Sequence, residues 1–238
     1  MKYKDYLLII PARAGSKTLK NKNLINFCGK PLIYWTIKIA LRAKIFDEII
    51  VSTDSIKIKN YALKFGAKTP FLRPKNISLD TTPMYKVIEH AIKFYRKKNI
   101  IFKNIVLLEP TSPIRELKDI KKAINKFNKN TSRINSLISV GEVNEHPSIS
   151  FVIKKNRLKK FIKKGKKIYR RQSLEKVYFP YGVIYISKTK SFIKNKSFID
   201  KSTIFYKIEK YKNIEIDDIY DLYKAEAIFK KLKIYKSI

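Results

Sequence analysis

The chain has 238 residues, 45% of them hydrophobic, and a formal net charge of +35. That length suits one domain with at most a modest insertion, and the apolar content is enough for a real core, which excludes general disorder. No apolar run approaches the roughly 20 residues of a membrane span, and one cysteine, Cys28, excludes an intramolecular disulfide and a four-cysteine zinc site.

The charge invites a nucleic-acid reading, but its make-up argues otherwise. Of the 54 basic residues only nine are arginine, and the lysines are spread over almost every predicted helix as a solvated face would have them. A specific nucleic-acid reader clusters its charge and uses arginine forks. No specific nucleic acid and no membrane are therefore expected as partners. The apolar run Tyr6 to Ala12 is too short for a signal-peptide core, so a cytoplasmic location is expected. The one dense patch, KKGKK at 163–167, reads as a hairpin tip.

In chain order, Leu7 to Pro11 is an apolar strand that empties into a loop holding Arg13, Gly15, Ser16, Lys17, Lys20, Lys22 and Asn23. Gly15 allows close backbone approach and the cations neutralise charge, so the loop suits a nucleotide phosphate. It is not the P-loop: with Lys17 as the motif lysine, Ser16 and Pro11 stand where two glycines belong. One glycine also rules out the G-x-G-x-x-G dinucleotide fingerprint. Pro31 to Lys44 carries a helical stripe of Leu32, Trp35, Ile39 and Ala43. Glu48 to Val51 reads as a strand. Ser55 then caps a helix that Gly66 stops.

Thr69 to Leu72 suggests another strand, and Met84 to Lys97 a helix. Ile105 to Leu108 is a buried strand ending in Glu109-Pro110-Thr111-Ser112-Pro113, followed by a helix from about Leu117 to Phe127 and a strand from Ser136 to Val143. Alternating strands and helices predict βαβ units and a largely parallel sheet, with ligands beyond the carboxyl ends of its strands. Arg13 to Asn23, Ser52 to Asp54 and Glu109 to Ser112 would then gather on one edge. From about 145 to 179 the rhythm changes: β-like runs at Ile149 to Ile153 and Leu158 to Ile162 predict an inserted arm on a single domain spanning 1–238. Tyr181 to Ser187 and Thr203 to Ile208 read as strands. Asn213 to Asp217 reads as a short strand whose alternation places Glu215 and Asp217 on one face. Asp218 opens a closing helix.

The order IIPARAGSKTLKNKN, STD (52–54), FLRP (71–74), LLEPTSPIR (107–115), RRQ (170–172), YGVIYI (181–186) and IEIDDIYDL (214–222) resembles the acylneuraminate cytidylyltransferases, the CMP-sialic acid and nonulosonate synthetases. The resemblance covers nearly the whole chain. It implies a Rossmann-like nucleotide-diphospho-sugar transferase fold, a mixed and mostly parallel sheet covered by helices, with a dimerisation arm and hence a homodimer. It also implies a Mg²⁺-dependent coupling of CTP to a 3-deoxy-2-ketoacid sugar. Alternative readings are a cytidylyltransferase for an eight-carbon sugar acid and, resting on charge alone, a basic nucleic-acid binder.

The resemblance makes Arg13 and Lys17 the catalytic cations on the phosphates. Ser16, Lys22 and Asn23 complete the nucleotide loop, and Arg73, with the backbone around Thr82, reads the base edge. On the sugar side it implies Glu109, Arg171, Gln172 and Tyr185, with Arg171 able to clamp a carboxylate. Glu109 stands where the family commonly has Gln. Asp217 and Glu215 are the implied Mg²⁺ ligands, Glu215 replacing a usual Asp. Asp54 reads as a cap for the helix that follows it or as a support for the metal, His90 as packing, and His146 as a shaper of the arm.

Overall fold

The computed structural model describes residues 1–16, 18–162 and 174–237. Its frame follows from β1 (Lys2–Pro11), whose Tyr6 to Ile10 are buried on both faces. A strand with no solvent face belongs in the middle of a parallel sheet covered by helices. β1 pairs in parallel with β4 (Glu48–Ser52) and with β5 (Ile100–Leu107), bringing Leu7 opposite Glu48 and Ile105. The six-stranded sheet is completed by β6 (Ser136–Glu142), β9 (Tyr178–Lys188) and β10 (Ile204–Lys207), in the order β10-β6-β9-β5-β1-β4. β9 runs antiparallel to both neighbours and the other pairings are parallel, the mixed sheet expected.

Period-two alternation sorts β1 between two cores. Leu8 and Ile10 pack beneath α1 (Leu32–Ala43) and α4 (Leu117–Lys129), while Leu7 and Ile9 meet α3 (Met84–Lys97) and α5 (Thr189–Asn195) on the other side. A third cluster seats α6 (Ile219–Lys231) on the hairpin of β2 (Asn26–Phe27) and β3 (Lys30–Pro31). There Phe229 meets Phe27 and Trp35 edge-on, at centroid distances of 5.0 and 4.7 Å. Cys28 and Gly29 make the hairpin's left-handed turn, at φ 51° and 82°.

The expected caps are present. Ser55 Oγ accepts the Ile58 N–H at the start of α2 (Ile56–Lys64), and Gly66, at φ +100°, follows its end. Asp218 caps α6 by accepting from Tyr220 and Asp221 N–H groups.

Two expectations are corrected. Thr69 to Leu72 forms no strand: Lys68 makes a lone bridge to Ile50, and Pro70, with no N–H to donate, ends the pairing. Asn213 to Asp217 is not a strand either. It buries Ile214 and Ile216 without a ladder, tied by the Ile216 N–H to the Thr111 carbonyl at 2.8 Å. In the arm, β7 (Phe151–Lys154) and β8 (Arg157–Lys160) form a hairpin whose turn is Lys155-Asn156, at φ 47° and 57°, the left-handed pair that a two-residue hairpin requires. KKGKK lies outside the described residues.

Candidate functional site

The carboxyl ends of β1 and β5 open onto a cavity of about 180 Å³ lined by Arg13, Ser16, Lys22, Asn23, Arg73 and Glu109. Topology thus gathers the polar clusters as the sequence implied. The loop after β1 is held from below: the Ala12 N–H donates to the Ser52 carbonyl, and the Ala14 N–H donates to Asp54 Oδ1 at 2.9 Å. Asp54 is therefore a tether for this loop and not the cap of α2, a position that Ser55 fills. Asn23, buried, donates its amide to the Arg13 carbonyl at 3.0 Å, and Ser16 Oγ accepts the Leu19 N–H. Arg13 is ion-paired with Asp80, and Lys22 Nζ lies 2.8 Å from Asp217 Oδ1.

Arg73 is the least satisfied group in the wall. It is 5% exposed, and its Nε and Nη2 have no hydrogen-bond partner among the described residues. Burial lowers its pKa, Asp54 acts in the opposite sense, and Arg13 adds to the lowering. A guanidinium kept charged without acceptors is costly, so this is a place for an electron-rich ligand. Thr82 is outside this lining, and its N–H donates to the Leu79 carbonyl in a turn.

Glu109 and Met84 also line a second cavity of about 310 Å³, walled by Ile88, Leu107, Tyr185, Phe192 and Phe198. Tyr185 comes from β9 opposite Leu107, and its ring packs against Phe198 at 5.6 Å between centroids. Tyr185 is half-buried against Phe198 and stands in the wall of this cavity. Burial, Glu109 and Glu215 all push its hydroxyl pKa up.

The acids meet at this junction. Burial, reinforced by Glu215 and Asp217 and opposed by Arg115, pushes the Glu109 carboxyl up to about 7. Glu215 is raised by burial and by Asp217, although its Oε1 accepts the Gly182 N–H at 2.7 Å. Asp217 is 73% exposed at its side chain and turned to Lys22. With the segment irregular, Glu215 points inward and Asp217 outward to the loop. Among the described residues no three acid, histidine or cysteine groups form a ready metal cage. Glu215, raised by burial and by Asp217, and the exposed Asp217 carboxylate nevertheless suit a hard divalent cation whose other ligands are phosphate and water oxygens.

Two residues that the sequence left unassigned organise the junction. Arg115 is fully buried, its guanidinium donating to the carbonyls of Val183, Gly182 and Glu109 and to Thr36 Oγ1. Burial brings its pKa down to about 10. Gly182 receives the Glu109 N–H at its carbonyl, and a Cβ there would sit 2.5 Å from Glu109 Oε2 and 2.7 Å from Glu109 Cβ. The signal was in the sequence, an arginine closing an apolar LLEPTSPIR run and a glycine inside a strand. Lys17, Arg171 and Gln172 lie outside the described residues. His90 packs edge-on against Phe71 at 4.5 Å, and His146 caps a turn of the arm, accepting the Ser148 N–H and bonding the Glu175 carbonyl.

A mixed sheet ending in a cation-lined cavity beside an apolar one is a geometry suited to an anionic ligand beyond the carboxyl ends of the strands. The cytidylyltransferase family model matches residues 7–235, and the chain belongs to that family. It is 34% identical to the pseudaminic acid cytidylyltransferase of Campylobacter jejuni over 226 residues, 94% of this chain and 96% of that protein. It is 36% identical to the CMP-N,N'-diacetyllegionaminic acid synthase of Legionella pneumophila over 199 residues, 83% and 84% of the two chains. In fold it is similar to a CMP:2-keto-3-deoxy-manno-octonic acid synthetase complexed with CTP, with a TM-score of 0.70, 16% identity, and coverage of 96% of this chain and 100% of that one.

Proposed function

We propose that the protein transfers the CMP group of CTP to the anomeric hydroxyl of a nine-carbon 2-keto-3-deoxy sugar acid and releases pyrophosphate. The observation that carries this reading is the junction at Glu109 and Met84, where the cation-lined cavity meets the apolar one. A nucleotide in the first and a sugar in the second would bring hydroxyl and α-phosphorus together there. The sugar oxygen forms the new bond to phosphorus while the bond from phosphorus to the bridging oxygen breaks. Positioning and charge neutralisation are the main work of such a step. Arg13, Lys17 and Lys22 would neutralise the triphosphate, Asn23 and Ser16 would shape its loop, and Arg73 would supply unspent donors to the nucleotide. Glu109, raised to about 7 by burial, is the acceptor at the junction for the proton the hydroxyl loses.

Asp217 and Glu215 would hold Mg²⁺, which when bound supplies charge neutralisation for the departing pyrophosphate. Arg171 and Gln172 would meet the sugar's acid end. The arm would join two copies: Phe151 and Ile153 share one face of the hairpin with Leu158, and all three are exposed. Among the described residues no helix is long and apolar enough to cross a membrane. The test incubates the protein with CTP, Mg²⁺ and a panel of eight- and nine-carbon sugar acids while following pyrophosphate. Release with a nine-carbon acid supports the reading. Release with an eight-carbon acid alone, or salt-sensitive DNA binding with no release, refutes it. Sedimentation of the wild type against Ile153→Lys tests the dimer.

A further inference from the structure

Asp217 has two polar attachments to the loop after β1, and they differ in kind. Lys22 Nζ holds its carboxylate at 2.8 Å. The Thr18 hydroxyl donates to its backbone carbonyl, from 199 residues away in the chain. Leu19, beside Thr18, is buried in the same apolar cluster as Ile214 and Ile216, so the loop and the acid-bearing segment already share a seam.

The first attachment is open to exchange and the second is not. Lys22 lines the nucleotide cavity, whereas Thr18 lies outside its lining. A phosphate entering that cavity therefore meets the ammonium and not the hydroxyl. A bond from a neutral hydroxyl to a carbonyl also offers a polyanion no cation to capture. On the other side, the Asp217 N–H donates to Asp221 Oδ2, in the first turn of α6, at 3.1 Å. Both polar groups of the Asp217 backbone are thus held while its side chain is 73% exposed. Rotation about its own side-chain bonds is then enough to re-aim the carboxylate.

Resting on the transfer reaction and cation site proposed above, we infer that Thr18 is a positioning residue. It keeps the Asp217 backbone against the loop when Lys22 turns from carboxylate to phosphate, and so couples cation binding to nucleotide binding. Without it, the departure of Lys22 frees main chain as well as side chain on the loop side, and ordering that backbone again opposes binding of the cation. Thr18 acts through Asp217 and not on the substrate.

The experiment measures CTP affinity of the full chain by titration calorimetry without a sugar acid, so that no turnover enters, in excess EDTA and in saturating Mg²⁺. The ratio of the two dissociation constants is the coupling between nucleotide and cation. Thr18→Val keeps the shape and removes the donor, and Thr18→Ser keeps the donor. The wild type is expected to bind CTP more tightly in Mg²⁺. Thr18→Val is expected to reduce that ratio about fivefold, with affinity in EDTA and melting temperature unchanged, and Thr18→Ser to restore it. A wild-type ratio in Thr18→Val, an equal loss of affinity in EDTA, or a Thr18→Ser no better than Thr18→Val overturns the inference and leaves the transfer reaction standing. A wild type that binds CTP equally with and without Mg²⁺ overturns the cation site together with the inference, and a wild type that binds no CTP overturns the transfer reaction as well.

Discussion

Lys212 is a buried ammonium in a chain whose lysines otherwise read as solvent-facing, and Lys212→Met should cost more stability than any surface lysine. Its Nζ lies 2.8 and 2.9 Å from the two Asp119 oxygens, 2.7 Å from Glu116 Oε2 and 2.6 Å from Glu209 Oε2. Lys212 and Asp119 are both fully buried. Methionine keeps the volume but removes the ammonium that is bonded to both Asp119 oxygens. Breaking a buried pair from one side costs roughly 3–5 kcal/mol, because the remaining charge stays desolvated. At roughly 2–4 °C per kcal/mol for a chain of this size, the melting temperature should fall by about 10 °C.

Urea unfolding followed by far-UV circular dichroism at pH 7 measures the loss, and Lys212→Met/Asp119→Asn should recover more than half of it. A single-variant loss below about 1 kcal/mol, or a double variant no better than the single, would refute the reasoning. The pH dependence gives a second reading. Burial alone would raise the Glu116 carboxyl, but hydrogen bonds from Lys212, Tyr211 and Lys118 outweigh it and bring it down to about 2. A folded pKa below the unfolded 4.5 gives stability that is complete above pH 5 and lost as pH falls from 4.5 toward 2. At 1.36 kcal/mol per unit that contribution is about 3 kcal/mol, and it should shrink in Lys212→Met.

The site yields three further expectations. Arg73→Met should raise KM for CTP about tenfold or more while the folded protein is as stable as the wild type or more so, because a buried guanidinium lacking acceptors is removed; an unchanged KM would take Arg73 out of the nucleotide site. Gly182→Ala should lower kcat strongly at a stability cost of about 1–3 kcal/mol, since its Cβ meets the Glu109 side chain at 2.5–2.8 Å; full activity would show that Glu109 need not stand where it does. Asp217→Asn should raise the Mg²⁺ concentration needed for half-maximal pyrophosphate release, and a wild-type magnesium titration would move the cation elsewhere.

The parts of the molecule legible in its sequence are those set by local chemistry. The two-faced apolar run of β1, the Ser55 and Asp218 caps and the apolar stripe of α3 depend on neighbours in the chain, and they stand where the pattern put them. The errors share a cause. At Thr69 to Leu72 and Asn213 to Asp217, β-like alternation buries side chains without a partner strand, and pairing is a property of the whole sheet. In the arm, Lys155-Asn156 makes a left-handed turn without a glycine, so no local residue marks it. Lys212 was illegible because burial is long-range and one lysine among 45 carries no mark of it. Asp54 was placed on the wrong neighbour for the same reason. Its partner, the Ala14 N–H, is 40 residues away.

The polar wall explains how a loop so rich in cations stays ordered before a polyanion arrives. Arg13 leans on Asp80 and Lys22 on Asp217, while Asp54 and Asn23 fix the backbone between them. Arg13, Asp80 and the Asp217 side chain are all at least partly exposed, so each pair is worth no more than about 1 kcal/mol and is readily exchanged. A triphosphate bound as proposed would offer the same cations more negative charge in a less hydrated setting, so exchange would favour the ligand. The carboxylate that Lys22 would release, Asp217, acts on Glu215 and would be left with its charge unmatched. Binding of the nucleotide would thus create the acid pair for the cation that accompanies it. On the proposed function Asp217 would serve first as a counter-ion for the loop and then as a cation ligand, with no ready-made cage needed.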